Sequence, residues 1–211
     1  MKIPITLPSR ELSYIKNIDK KINKELKKGI YIGGENVNNF EENMKNFLKT
    51  KYVVTLNSGT DALYLSLLAL GIKKGDEVLV PSFTFFASIE CIYLVGAKPI
   101  FVDIDINTYC FDIDDLKKKI TKKTKAIIPV HLFGNSGDLK ELIKVSKNYN
   151  LRIVEDAAQS FGSRLSNEKY LGTIGDLGAF SFYPSKTLGG IGDGGMIATN
   201  NKKYFNLLMK L

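Results

Sequence analysis

Leu151-Arg152-Ile153-Val154-Glu155-Asp156-Ala157-Ala158-Gln159 carries a short apolar run directly into two carboxylates. The run reads as a buried strand, and it sets the acids at the strand's carboxyl end, where open α/β sheets bind their ligands. An acid placed there can hold a metal, act as a base, pair with a cationic cofactor ring, or serve structure alone. No His/Cys cluster accompanies it, so no metal is expected.

Outward from this stretch the same rhythm recurs. Short apolar runs at 53–56, 77–80, 99–102, 126–130, 179–182 and 196–198 mostly alternate with helical stretches at 62–70, 87–95, 114–120 and 139–148. That alternation predicts an α/β protein with a largely parallel sheet. Nearer the start, Leu12, Ile15, Ile18, Ile22 and Leu26 recur at three- and four-residue steps and predict an amphipathic helix that Gly29 ends. Val37, Phe40, Met44, Phe47 and Leu48 predict a second. No repeat or linker divides the chain. Residues 202–211 read as a further amphipathic helix with no stop signal, so the expectation is a piece of a longer protein.

The 211 residues are 44% hydrophobic, enough to bury a core in one domain, which argues against disorder. The net charge of +8 raises the question of nucleic acid. The lysines, however, are scattered over helix faces such as 117–119 and 122–123 without interleaved aromatics. No nucleic-acid partner is expected, although a basic field attracts small anions. No apolar run approaches the roughly 18–20 residues a bilayer span needs, and the first residues lack a secretory signal, so no membrane association is expected. A soluble cytoplasmic protein is the expectation. Cys91 and Cys110 lack metal-ligand spacing and are expected to be packing residues.

Two further segments carry chemistry. Asn57-Ser58-Gly59-Thr60-Asp61 follows a strand and opens a helix, where free backbone N–H groups and the helix dipole favour a phosphate. Gly59 permits close backbone approach and the Ser58 and Thr60 hydroxyls can donate, but the same residues make an ordinary N-cap. In Ser181-Phe182-Tyr183-Pro184-Ser185-Lys186 a strand runs into a Pro-containing turn, and a glycine-dense stretch, 189–195, follows. A lysine held at a strand end beside flexible backbone suits imine chemistry. Any surface lysine is the competing reading. His131, the sole histidine, is expected to be a satisfied structural residue, and Asp193 a turn residue.

Taken together and in order, SGTDAL at 58–63, PSFTFFAS at 81–88, VHLFG at 130–134, EDAAQSFG at 155–162 and GDLGAFSFYPSKTLGGIGDGG at 175–195 resemble the DegT/DnrJ/EryC1/StrS sugar aminotransferases. GIYIGGENVNNFE at 29–41 resembles that family's N-terminal active-site segment. The resemblance implies the large domain of a fold-type-I pyridoxal-phosphate enzyme, a three-layer α/β/α unit with a mostly parallel sheet. It divides 1–211 into an N-terminal helical segment, 1–50, and a cofactor-binding core, 51–211, with the family's smaller C-terminal domain absent. It further implies that Gly59, Thr60 and Ser181 bind the phosphate of pyridoxal 5′-phosphate and that Phe85 stacks on its ring. Asp156 would pair with the ring nitrogen, Gln159 would hydrogen-bond the phenolic oxygen, and Lys186 would form the Schiff base and shuttle the proton. From the residues alone, Phe85 competes with a core role, because at least one of Phe83, Phe85 and Phe86 is expected to face the interior.

The activity implied is transfer of an amino group, from glutamate, to a keto group of a nucleotide-linked sugar in polysaccharide or surface-glycan biosynthesis. The whole protein would be a homodimer. An alternative within the resemblance is a sugar dehydratase, whose relatives carry histidine in place of the lysine; Lys186 argues against it. The other is an inactive cofactor-binding fragment.

Overall fold

A computed structural model describes residues 14–165 and 169–211. Two helices, α1 (Ile18–Lys28) and α2 (Glu35–Leu48), precede the sheet. Strand β1 (Tyr52–Leu56) leads to α3 (Gly59–Ala69), β2 (Glu77–Pro81), α4 (Ala87–Leu94) and β3 (Lys98–Val102). Then come α5 (Ile113–Lys119), β4 (Thr124–Ile127), α6 (Leu139–Asn148) and β5 (Arg152–Asp156). After a two-stranded ribbon of β6 (Arg164–Leu165) and β7 (Lys169–Tyr170), β8 (Leu177–Ser181), β9 (Gly195–Thr199) and α7 (Lys202–Leu208) complete the described chain.

Seven strands form one sheet in the order β1-β9-β8-β5-β4-β2-β3. The β2–β3, β2–β4, β4–β5 and β5–β8 pairs are parallel, and β9 runs antiparallel to both its neighbours. Because side chains alternate across a strand, each central strand supplies both faces. Val78 and Val80 enter one core with Ala62, Leu63 and Leu67 of α3 and Ile92 of α4. Leu79 enters another with Leu116 of α5 and Leu142 and Val145 of α6. Met196 and Ala198 of β9 pack toward Leu48 of α2, while Ile197 between them joins the α3 side. The result is the three-layer α/β/α arrangement, with each fully buried aliphatic side chain contributing about 1.5–3 kcal/mol.

Several local expectations change. The run 126–130 leaves the regular ladder after Ile127, since Pro129 has no N–H to donate; beyond it Ile128 still donates to Leu79 O, and a parallel bridge joins Val130 to Asp156. α7 ends at Leu208. α1 forms, but buries none of its residues: Ile22 and Leu26 are exposed, as is Ile15 before it, and Leu12 lies outside the described residues. Among the described residues, no helix is long and apolar enough to cross a membrane, and no cluster of metal-ligating side chains occurs. Both cysteines are free and buried; burial pushes the Cys110 thiol up to about 11 and Cys91 higher, so neither is a nucleophile at neutral pH.

Candidate active site

The carboxyl ends of β5 and β8 and the start of α3 open into one cleft of about 390 Å³. All seven residues singled out above line it: Gly59, Thr60, Phe85, Asp156, Gln159, Ser181 and Lys186.

At one side, Gly59 and Thr60 form the first turn of α3. Ser58 caps this helix: its Oγ accepts from the Asp61 N–H at 3.0 Å and donates to Asp61 Oδ2 at 2.9 Å. The Ser58 hydroxyl is therefore committed to the cap, as the ordinary reading of that motif has it. The Gly59 and Thr60 amides have no partner among the described residues and stay free for an anion. Gly59 is required by contact: a Cβ there would lie 2.7 Å from Ser181 Cβ, so glycine lets the helix start abut the end of β8. Ser181 Oγ accepts from the Tyr183 N–H at 3.3 Å, which leaves its proton to donate.

At the other side stands Asp156, 6% exposed. Its Oδ2 accepts from Ser88 Oγ at 2.7 Å and its Oδ1 from the Ala158 N–H at 3.1 Å. It has no ion-pair partner among the described residues. A buried carboxylate without a cation is costly, and this one faces a cleft with room for a positive group. Gln159 is oriented for the same cleft. Its Oε1 accepts from the Phe133 N–H at 3.2 Å, so its amide donors are free to meet an acceptor. That contact depends on Phe133 adopting φ 56°, ψ 19°, a left-handed backbone that a bulky residue rarely takes.

Glu155, next to Asp156, faces away from the cleft because side chains alternate along β5. It is fully buried, and its Oε1 accepts from the Ile174 and Gly175 amides, each at 2.7 Å. Its Oε2 accepts from the Gly172 amide and His131 Nε2, each at 2.8 Å. Burial opposes its charge, but the bonds from His131 and the backbone outweigh burial and hold the carboxyl below its usual range. An ionised carboxylate only accepts, so His131 Nε2 carries the proton. His131 is a satisfied structural residue.

Lys186 is half-buried in the turn after β8, its amide bonded to Tyr183 O at 2.8 Å. Backbone hydrogen bonds cross the glycine stretch beside it. Gly190 donates to Phe182 O and Phe182 to Gly194 O, each at 2.7 Å, and a Cβ on Gly189 would meet Pro184 O at 2.5 Å. None of these glycines has positive φ; Gly189 and Gly195 serve close packing, whereas Gly192 stands in open space. Asp193 lines the cleft and has no hydrogen bond among the described residues, so no turn contact accounts for it. The expectation of an inward-facing phenylalanine fails: Phe83, Phe85 and Phe86 are 50%, 70% and 61% exposed. They lie in the connection from β2 to α4, whose inward positions are taken by Ala87, Ser88, Cys91 and Ile92. Phe85 thus has a ring face free to cover a ligand. Ile30, Tyr31 and Ile32 are exposed and do not line this cleft. Sequence reasoning missed Ser88 and Thr84, although Ser88 shares the buried helix stripe of Cys91 and Ile92, a spacing that marks an inward polar residue.

Residues 13–211 match the family model described as the DegT/DnrJ/EryC1/StrS aminotransferase family. The UDP-2-acetamido-2-deoxy-3-oxo-D-glucuronate aminotransferase of Pseudomonas aeruginosa is 41% identical over 98% of this chain and 57% of its own length. The structure of S. venezuelae DesV in complex with a ketimine intermediate superposes with a TM-score of 0.94 at 36% identity, over 100% of this chain and 57% of that one. E. coli GDP-4-keto-6-deoxy-D-mannose-3-dehydratase with bound hydrated PLP gives 0.89 at 31% identity, over 99% and 54%. The chain spans about half the length of the curated relatives it matches, from 38% to 57% for the first few.

Proposed function

Because the chain belongs to the DegT/DnrJ/EryC1/StrS aminotransferase family and has its fold-type-I architecture, we propose that it holds pyridoxal 5′-phosphate for an aminotransferase. The acceptor is a keto group of a nucleotide-linked sugar and the donor is glutamate. The observation that carries this reading is Asp156, buried, without a cation, and in the same cleft as the free amides of α3 and the amine of Lys186.

The residues present fit the cofactor's donor and acceptor pattern. The Gly59 and Thr60 amides, with the Thr60 and Ser181 hydroxyls, bind its phosphate. Asp156 would hold the proton of its ring nitrogen, Gln159 would donate to its ring oxygen, and Phe85 would cover one ring face and exclude water. When bound, the cofactor supplies an aldehyde to take up the amino group and a cationic ring to accept the electrons released as the donor's Cα–H bond breaks. Lys186 Nζ would hold it and, when free, would hold and move the proton taken from Cα.

Residues 51–211 form the cofactor-binding core, and 1–50, of which 14–50 are described, lead into it. The exposed Ile30, Tyr31 and Ile32, with Phe83 and Phe86 beside the cleft, support a homodimer as the working assembly. The cytoplasm and the biosynthesis of a polysaccharide or surface glycan fit a nucleotide-sugar substrate. The test is a half-reaction: with pyridoxal phosphate and glutamate, the protein yields one equivalent of 2-oxoglutarate per bound cofactor, and repeated turnover needs a nucleotide-linked keto sugar. No 2-oxoglutarate, or an undiminished yield from Lys186→Ala, refutes the assignment.

A further inference from the structure

Asp156 is held by a two-hydroxyl chain. Ser88, fully buried in the first turn of α4, stands 2.7 Å from Asp156 Oδ2, and Thr84 Oγ1 lies 2.9 Å from Ser88 Oγ. We propose that Ser88 is the positioning residue of the ring-nitrogen carboxylate and that Thr84, Ser88 and Asp156 form a one-way relay. This rests on the reading of Asp156 given above.

The direction follows from proton counting. An ionised carboxylate can only accept, so Ser88 must spend its single proton on Asp156. Ser88 is then an acceptor toward Thr84, and Thr84 is the donor. The Ala158 N–H takes the other oxygen, so both carboxylate oxygens are pinned and the carboxylate plane is fixed. Thr84 lines the cleft, which places the outer end of the relay beside the ligand.

A short bond from a hydroxyl stabilises the negative charge of a carboxylate, the charge that a protonated ring nitrogen pairs with. The ionisable neighbour on α4, Cys91, is kept neutral by burial and by Asp156 itself, and no ion pair reaches Asp156 among the described residues. The Ser88 hydroxyl and the Ala158 amide are therefore the donors that hold it.

Two measurements test this. In the protein loaded with pyridoxal phosphate carrying ¹⁵N in the ring, Ser88→Ala moves the nitrogen resonance from the protonated toward the neutral position. It also slows the glutamate half-reaction on the order of tenfold, while Ser88→Thr, which keeps the hydroxyl, restores both. An unchanged resonance in Ser88→Ala overturns the proposal. Neutron diffraction from the deuterium-exchanged protein without cofactor is independent of the functional reading. A deuteron on Ser88 directed at Asp156, with the Thr84 deuteron directed at Ser88, supports the relay; a deuteron on Asp156 directed at Ser88 overturns it. If the unsubstituted protein takes up no cofactor, the functional reading fails and the neutron result alone decides the relay.

Discussion

Glu155→Gln replaces one oxygen of a buried carboxylate by an NH₂ group in a pocket that presents four donors, and the outcome can be worked through. If the NH₂ takes the Oε1 position, it opposes the Ile174 and Gly175 amides together. The less costly choice is the Oε2 position, where it meets the Gly172 amide and His131 Nε2. His131 can switch tautomer and accept, but Gly172 cannot. One buried N–H is then orphaned, at about 1–3 kcal/mol, and the two surviving bonds lose their charge assistance, about 1 kcal/mol each. Relief from burying a charge offsets part of this, leaving roughly 2–4 kcal/mol of destabilisation. For a chain of this size that lowers Tm by about 4–16 °C. Differential scanning calorimetry and urea midpoints read it directly. A Tm equal to or above that of the parent refutes the reasoning, because it means the desolvation of Glu155 outweighs its four bonds.

The same residue gives an acid limb. Its folded proton affinity lies below the ordinary 4.5, so its contribution is complete above pH 4.5 and is lost as pH falls further, through its folded value. Glu155→Gln flattens that limb in urea melts taken from pH 6 downward; a parallel profile speaks against it. Gly59→Ala forces its Cβ against Ser181 and costs about 1–3 kcal/mol of overpacking, with a larger proportional loss of pyridoxal phosphate affinity than of stability. Equilibrium binding beside a thermal melt separates the two, and unchanged affinity removes the phosphate role from the α3 start. Asp156→Asn slows the glutamate half-reaction at least tenfold, about 1.4 kcal/mol, while sparing cofactor binding; stopped-flow rates and binding isotherms on one preparation decide it.

Much of this site was legible because its chemistry sits where periodicity changes. The apolar run before Glu155 and Asp156 announced a strand, and its end opens on the cleft. The antiparallel course of β9 was not legible, since 196–198 reads the same in either direction and only its partners β1 and β8 fix it. Glu155 and Asp156 look equivalent as letters, and the period of two along a strand is what sends one inward and one to the cleft. The Ser88 contact joins residues 68 apart, and the left-handed backbone of Phe133 violates the preference of its own side chain. Neither leaves a local trace. The glycines at 189–195 differ in a way composition hides: at Gly189 the Pro184 carbonyl and at Gly195 the Ser58 carbonyl occupy the place of a Cβ, while at Gly192 nothing does.

The central claim is that Lys186 carries the cofactor. Incubating the protein with pyridoxal phosphate, reducing with borohydride and mapping the digest by mass spectrometry places the pyridoxyl group. The account predicts a single stoichiometric adduct on Lys186; a group spread over other lysines, or none at all, contradicts it.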